Sequence, residues 1–238
     1  MNAKMAPWAD RFFKVRAYSV HLFTALGVVA ALMTLIEITQ GHARLAAYWG
    51  FISCGIDSVD GALARRFQVK KWAAGFDGRK LDDIVDYITY VFLPVFFVWK
   101  FELIPAGWLP ALALVLLASA YRFCEDSAKT NDGYFTGFPS YWNFLAFYFY
   151  LLRSPQWLNL ALLLFWAVMV FVPIKYIYPS HTKFLKPVTI GLTLLTAAVH
   201  LAVVILFERS PLWLVFLGMS YWLYYMGLSF YLNLRQPA

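Results

Sequence analysis

The chain has 238 residues, of which 62% are hydrophobic and 14% are charged, and its formal net charge is +7. Soluble domains usually carry about 25% charged residues, so this composition excludes an ordinary soluble protein and indicates a membrane protein. The positive charge fits attraction to anionic lipid, and we expect no nucleic-acid partner.

An amphipathic pattern precedes the first apolar segment. Met5, Trp8, Phe12 and Val15 recur at helical spacing, and basic residues lie between them. This arrangement is typical of a short helix on a membrane surface. A disordered basic tail is the alternative interpretation. We expect residues 1–16 to form this interfacial segment.

Long apolar segments follow along the rest of the chain. A helix needs about 20 mostly apolar residues to cross a bilayer. We therefore predict an all-α fold, a polytopic transmembrane helical bundle of about eight spans within residues 17–233, in a single domain of residues 1–238. The predicted spans are 17–38, 44–64, 83–99, 104–121, 138–152, 157–178, 186–207 and 211–233.

Basic residues set the expected orientation, because cytoplasmic loops are enriched in Lys and Arg. With the N-terminus inside, 16 of the 20 basic residues fall on the cytoplasmic side. The remaining four are Arg44, Lys100, Arg153 and Arg209. We therefore expect both termini to be cytoplasmic.

Two pairs of carboxylates interrupt the apolar pattern. Asp57 and Asp60 lie three residues apart in the second span, and Asp82 and Asp86 lie four apart at the start of the third, so each pair shares a helix face. Such acids are costly in a membrane and repel one another unless cations lie among them. Because oxygen ligands suit Mg²⁺ or Mn²⁺, the four predict a site for two such ions. Pairing with nearby basic residues is the structural alternative.

Small residues accompany the first acidic pair. Gly61 and Ala64 fall on the same helical arc as Asp57 and Asp60, which lets a bulky ligand approach the backbone. Arg65 follows them and offers a planar set of donors for a phosphate. An anchor at the membrane interface is the alternative role for this arginine.

The spaced acidic and small residues resemble the signature of the CDP-alcohol phosphotransferase family. The pattern reads Asp57-x2-Asp60-Gly61-x2-Ala64-Arg65 and then Gly78-x3-Asp82-x3-Asp86. The twelve residues between its two halves, together with the stretch GFPSYWN at residues 137–143, are similar to the bacterial phosphatidylcholine synthase branch of that family.

This resemblance implies that the hydroxyl of choline attacks the lipid-side phosphorus of CDP-diacylglycerol, which releases CMP and leaves phosphatidylcholine. It implies that Asp86 also accepts the hydroxyl proton, and that Gly78 and Thr24 belong to the nucleotide site. Thr24 lies in His21-x2-Thr24, where many relatives have Asn-x2-Thr, and we interpret His21 as a structural residue. The family further implies a homodimer among the lipids of the bacterial inner membrane.

Choline requires a particular kind of pocket. A quaternary ammonium is usually recognised by aromatic faces, sometimes with the help of a carboxylate. Tyr90, Tyr121, Glu125 and Trp142 offer such groups near the predicted cytoplasmic edge. Packing or an aromatic belt at the interface is the alternative role for each.

Two other functions are compatible with part of the pattern. Relatives that make phosphatidylserine or phosphatidylglycerol phosphate share the acidic signature, but the longer spacer and the GFPSYWN stretch argue against them. An ion-coupled transporter also places acids in membrane spans. All four acids lie at one predicted membrane edge, which a transporter does not require. The sequence also shows no pair of interrupted helices at matching positions in its two halves, as many transporters have.

Overall fold

The protein was analysed as a computed structural model that describes residues 7–125, 130, 133–179 and 181–235. The chain forms two compact units, Met1–Thr89 and Tyr90–Ala238. Met5 of the amphipathic pattern lies outside the described residues, as do Lys4 and Lys129 of the basic residues expected on the cytoplasmic side.

The first unit is helical throughout its regular elements. Within its described part these are α1 (Pro7–Thr39), α2 (Ala43–Arg66), α3 (Val69–Trp72) and α4 (Gly78–Asp86). Helix α1 packs against each of the other three. An apolar cluster of Ala17, Val20, Val69 and Ala73 holds α3 against α1. The small side chains of Ala17 and Ala73 let these segments approach closely.

Helix α1 differs from the prediction at its N-terminal end. Its 33 residues form one helix of about 50 Å, so residues 7–16 are continuous with the first predicted span and are neither a separate helix nor a disordered tail. Phe13 stacks on Trp72 with ring centroids 4.8 Å apart, and the Arg16 guanidinium lies 4.9 Å from the Phe13 ring. The aromatic contacts with α3 explain why the helix does not break before residue 17.

The second unit contains most of the chain. A π-helical turn, Tyr87–Phe92, follows α4 across the boundary of the units. The later elements are α5 (Leu93–Lys100), α6 (Leu109–Cys124), β1 (Tyr134–Thr136), α7 (Trp142–Leu151), α8 (Gln156–Met169), β2 (Lys175–Ile177), α9 (Lys186–Leu206), a 3₁₀ turn (Phe207–Arg209) and α10 (Leu212–Arg235).

Strands β1 and β2 form a small antiparallel sheet, with Phe135 opposite Tyr176. This sheet packs on α10, where Tyr134, Tyr176 and Tyr225 belong to one buried cluster. Helices α7 and α9 are joined by a hydrogen bond of 2.7 Å between the Tyr148 hydroxyl and His200 Nε2. These contacts form much of the core of the second unit.

Three helices among the described residues are long and apolar enough to cross a membrane: Trp8–Thr39, Lys186–Arg209 and Leu212–Arg235. Their outer faces carry large apolar side chains such as Leu194 and Leu223, which are 67% and 78% exposed. This is the arrangement expected of helices that contact lipid. The structure confirms a predominantly helical membrane protein, and each predicted span contains a helix, but it does not confirm a count of eight spans.

Two predicted spans are shorter than expected. Helix α7 has ten residues, about 15 Å, and the predicted start of its span at Phe138 is not helical because the Phe138 N–H donates to the Met169 carbonyl. Helix α8 ends at Met169, and Lys175–Ile177 forms β2. The prediction of membrane-spanning helix was therefore wrong for residues 138–141 and 170–178. Tertiary hydrogen bonds replace helical ones at Phe138 and in β2.

Candidate active site

Helices α2 and α4, both packed against α1, carry the predicted metal ligands. Helix α2 ends at Arg66, and Gln68 adopts a left-handed conformation with φ of 50°. Helix α4 begins after Asp77, whose carboxylate accepts a hydrogen bond of 3.1 Å from the Lys80 N–H. This cap satisfies one of the N–H groups that a helix start leaves unpaired. The connection between the two helices, residues 67–77, includes α3.

Three of the four predicted carboxylates converge. Asp57, Asp82 and Asp86 each place a carboxylate oxygen within 4.8 Å of the others. Three acids at this separation repel one another strongly, and a divalent cation relieves that repulsion. Oxygen donors of this kind fit Mg²⁺ or Mn²⁺. Within the part of the chain that the structure describes, no other three His, Cys, Asp or Glu side chains converge in this way.

Asp60, the fourth predicted ligand, lies outside that group of three. It is 7% exposed, and the Thr24 hydroxyl donates a hydrogen bond of 2.8 Å to its Oδ2. The Val20 carbonyl is farther from the same hydroxyl, at 3.3 Å. Thr24, predicted as a nucleotide contact, therefore acts in this structure as a support for Asp60. A fixed donor to a buried carboxylate sets its orientation.

Asp83 is adjacent to Asp82 but has a different neighbour. Its carboxylate lies 3.9 Å from the Arg79 guanidinium, one helical turn earlier in α4. Residues next to each other in a helix point about 100° apart. The observed pairing agrees with the predicted helical register, in which Asp82 and Asp86 share a face and Asp83 does not.

Gly27 is a positioning residue that the sequence analysis missed. A Cβ atom at Gly27 would lie 2.6 Å from Val85 Cγ1, so the absence of a side chain lets α1 approach α4 closely. Val85 precedes Asp86 directly. The available signal was a glycine within an apolar span, which often marks a close helix contact, but its partner is not evident from the sequence.

Gly78 lies at the start of α4, against His21 of α1. A Cβ atom at Gly78 would lie 2.5 Å from His21 Cε1. The imidazole is buried and packs on Phe76 with ring centroids 4.3 Å apart. His21 Nε2 has no hydrogen-bond partner within the described residues. This packing agrees with a structural role for His21 and explains the glycine at position 78.

The other predicted phosphate-binding residues have open or partly open surroundings. A Cβ atom at Gly61 would meet only Arg65 Nη1, at 3.5 Å. Arg65 is exposed, and it forms no ion pair with an acid in the described ranges. Ala64 packs against the apolar cluster between α1 and α3. Gly61 and Arg65 thus leave space for a ligand, whereas Ala64 contributes to packing.

The four predicted choline contacts belong to the second unit and have different neighbours. The Trp142 side chain is 1% exposed, and its Nε1–H donates to Ser119 Oγ at 2.8 Å. Glu125 pairs with the buried Arg122 guanidinium. Tyr121 is exposed and contacts the Phe171 ring. These contacts give Trp142 and Glu125 structural partners.

Tyr90 belongs to an aromatic group that the sequence analysis did not identify. Its ring centroid lies 6.4 Å from that of Tyr141, and Tyr141 in turn contacts Trp222 and Tyr225, each at 6.0 Å. Tyr90 itself lies in the π-helical turn that follows Asp86, and such turns are frequent at functional sites. The signal available in the sequence was the position of Tyr141 within the GFPSYWN stretch.

Comparison with known proteins identifies relatives of the chain. The sequence pattern of the family described as CDP-alcohol phosphatidyltransferase matches residues 18–174, which include parts of both units. A phosphatidylcholine synthase of Pseudomonas aeruginosa is 35% identical over 194 residues, 81% of this chain and 80% of the relative. Phosphatidylcholine synthases of Borreliella burgdorferi and Legionella pneumophila are 39% and 42% identical, over 78% and 71% of this chain and 80% and 67% of the respective relatives.

Proposed function

The chain belongs to the CDP-alcohol phosphatidyltransferase family, and we propose that it condenses CDP-diacylglycerol with choline to give phosphatidylcholine and CMP. The names of its relatives support choline as the alcohol. Phosphatidylserine or phosphatidylglycerol phosphate synthesis is the rival reaction within the family, because it needs the same acidic residues and differs only in the alcohol.

The convergence of Asp57, Asp82 and Asp86 carries this proposal. Their carboxylate oxygens lie within 4.8 Å of one another, and a transferase that acts on a diphosphate needs positive charge at that position. These residues, together with Asp60, would hold two Mg²⁺ or Mn²⁺ ions, which would supply that charge and stabilise displacement at phosphorus. Thr24 holds the Asp60 carboxylate in place for this task.

Asp86 accepts the proton in the proposed reaction. The choline oxygen forms a bond to the lipid-side phosphorus, the bond from that phosphorus to the CMP oxygen breaks, and CMP leaves with the electron pair. The proton of the choline hydroxyl passes to a carboxylate oxygen of Asp86, which acts as a general base. Arg65 binds a phosphate of the nucleotide, since its guanidinium is exposed and offers paired donors. Gly61 leaves room for the nucleotide beside α2.

Tyr90 is the choline contact that we retain from the four predicted residues. Its position one helical turn after Asp86 in the sequence and its aromatic neighbour Tyr141 support this choice. An aromatic face attracts a quaternary ammonium that has no N–H groups to donate. Trp142 and Glu125 are already engaged by Ser119 and Arg122, which argues against direct roles for them.

The reaction belongs at the inner face of the bacterial inner membrane, with both termini in the cytoplasm. The acyl chains of the substrate stay in the bilayer, while choline and the cytidine group arrive from water. The distribution of Lys and Arg along the chain supports this placement. We also infer a homodimer, which rests on family membership alone.

Release of CMP by the purified protein tests the proposed reaction. The protein is incubated with CDP-diacylglycerol and Mn²⁺ and, in separate reactions, with choline, serine, inositol or glycerol 3-phosphate. We expect CMP and phosphatidylcholine with choline and only background CMP with the other alcohols. A clear preference for serine or glycerol 3-phosphate would replace choline by that alcohol, and no CMP with any alcohol would reject the reaction.

A chelator tests the metal separately from the alcohol. Excess EDTA should abolish CMP release, and addition of Mn²⁺ or Mg²⁺ beyond the chelator should restore it. Full turnover in EDTA would contradict a metal role for the carboxylates. The matched control is the same EDTA treatment followed by removal of the chelator and renewed addition of Mn²⁺, because recovered turnover shows metal loss and not unfolding.

A further inference from the structure

An apolar groove lies between the start of α9 and the C-terminal half of α10. Its volume is ≈ 490 Å³, and Phe184, Leu185, Gly227 and Tyr231 are among the residues that line it. The groove is shallow and open to its surroundings. Gly227 leaves the wall open, because a Cβ atom there would have no neighbour within 4 Å. We call this feature the α9–α10 groove.

Three basic residues lie close to residues that line this groove. The Arg235 guanidinium lies 4.7 Å from the centroid of the Tyr231 ring, which forms part of the wall. Lys183 and Lys186 are exposed and flank Phe184 and Leu185 in the sequence. Long basic side chains extend their charged ends from apolar surfaces toward water. The groove therefore has an apolar wall and a positive rim.

The rim has no neutralising acid from the described chain. Lys183, Lys186 and Arg235 form no ion pair with the described residues. After residue 132 the sequence contains one acid, Glu208. Glu208 follows the far end of α9 and accepts a hydrogen bond from the Tyr150 hydroxyl. Among the described residues, the rim therefore keeps its positive charge, which would complement a negatively charged ligand.

We propose that the α9–α10 groove binds one anionic phospholipid of the phosphatidylglycerol type. Its phosphate pairs with Arg235 and the two lysines, and an acyl chain lies along Phe184, Leu185 and Gly227. Helices α9 and α10 are both long and apolar enough to span a membrane, so the groove is open to lipid. Basic sites between membrane helices bind acidic headgroups through the same chemistry. A second copy of the chain fits less well, because symmetric contact through this face would bring like charges together.

Photocrosslinking of the full chain in nanodiscs tests this site. The probes are phosphatidylglycerol and phosphatidylcholine that carry the same diazirine on one acyl chain, and mass spectrometry maps the adducts. We expect the phosphatidylglycerol probe to label peptides that contain Phe184 and Gly227, and the phosphatidylcholine probe to label them several-fold less. Equal labelling by the two probes would overturn the proposal, since it would indicate ordinary contact with bulk lipid.

Two variants separate the wall from the rim. Gly227→Leu adds a side chain to the groove at a position where a Cβ atom has no neighbour within 4 Å, and it should abolish most labelling. The triple Gln variant replaces Lys183, Lys186 and Arg235. It should bind phosphatidylglycerol roughly fivefold more weakly for each charge removed, equivalent to about 1 kcal/mol each. Gly191→Leu is the matched control, because Gly191 of α9 also has open space at its Cβ position and does not line the groove.

The variants also decide between a lipid and a second copy. Unchanged labelling in both Gly227→Leu and the triple Gln variant would overturn the proposal, as would crosslinks that join two copies of the chain through Tyr231. If Gly227→Leu does not fold, the triple Gln variant carries the test alone, since its changes lie on exposed side chains. Adduct yield is measured without turnover, so the result does not depend on the choline reaction.

Discussion

At the residue scale, the chemistry of the site depends on which face of α4 each acid occupies. Asp82 and Asp86 join Asp57 in one group of carboxylates, whereas Asp83 pairs with Arg79. An exposed ion pair of the latter kind contributes only about 0.2–1 kcal/mol to stability. Two adjacent aspartates should therefore respond very differently to the same isosteric change.

We expect Asp82→Asn to abolish CMP release and Asp83→Asn to retain most of it. The first change removes a charged ligand without changing the shape of the side chain, and the second removes a weak surface pair. Activity is measured at saturating Mn²⁺, with thermal unfolding as the check that both variants fold. If Asp83→Asn is inactive and Asp82→Asn is active, the helical register assigned to α4 is wrong. If both are active, this group of acids is not the catalytic centre.

A second prediction concerns the support that Thr24 gives to Asp60. Thr24→Val removes the hydroxyl while keeping the shape, so the buried Asp60 carboxylate loses the donor at 2.8 Å. Loss of such a supporting hydrogen bond typically costs about 10–100-fold in metal affinity or activity. A titration of activity with Mn²⁺ should show a higher requirement for metal. Thr24→Ser keeps the hydroxyl and should behave like the parent protein. If both variants require the same Mn²⁺ concentration, the hydroxyl of Thr24 does not support metal binding through Asp60.

At the element scale, the bounds of the long apolar helices could be predicted from the sequence and those of the shorter helices could not. Periodicity located α9 and α10 within a few residues because their patterns are long. The β1–β2 sheet was missed since four of its six residues, Tyr134, Phe135, Tyr176 and Ile177, are apolar or aromatic, like the helices around them. Gly137 shows the reason: its N–H donates to the Ile174 carbonyl, a partner distant in sequence. Only tertiary contacts decide such segments.

The shared face of Asp82 and Asp86 could be predicted because helical spacing fixes it, whereas Asp60, expected on the face of Asp57, lies outside the group of three. The pairing of Thr24 with Asp60 and the close approach of Gly27 to Val85 could not, since each depends on how α1 packs against another helix. The spacing of residues within one helix is local information. The distance between two helices is set by side-chain volumes on both.

Gly27 provides the test of that close approach. Gly27→Ala introduces a Cβ atom 2.6 Å from Val85 Cγ1, which should push α4 away from α1 and displace Asp82 and Asp86. A displacement of about 1 Å can reduce turnover by roughly 100-fold. The double variant Gly27→Ala/Val85→Ala removes the clashing methyl group and should recover much of the activity measured by CMP release.

Gly50→Ala serves as the matched control for this prediction, since a Cβ atom on that glycine of α2 has no neighbour within 4 Å. It should retain full activity. Normal turnover in Gly27→Ala would show that α1 and α4 tolerate a larger separation. If the double variant folds normally but does not recover activity, the effect of Gly27→Ala does not arise from contact with Val85.

At the scale of the whole molecule, the charge distribution predicts how the chain lies in the membrane. The connection between α2 and α4 includes α3 and contains Lys70 and Lys71, and the loop between α1 and α2 contains Gln40 and Gly41. These two loops follow opposite ends of α2, so they lie on opposite sides if α2 crosses the bilayer. Because basic loops stay in the cytoplasm, the carboxylate group near the C-terminal end of α2 should face inward.

Our last prediction uses single cysteines in these two loops, in a variant without Cys54 and Cys124. Lys70 and Gln40 are both exposed, so a maleimide that cannot cross the membrane reaches either residue from the side it faces. In intact cells we expect Gln40→Cys to be labelled and Lys70→Cys to be labelled only after permeabilisation. The reverse pattern would place the carboxylates outside, where CDP-activated lipid and CMP are not expected. Labelling of both cysteines from one side would mean that α2 does not span the membrane, and the proposed access of choline from the cytoplasm would need another route.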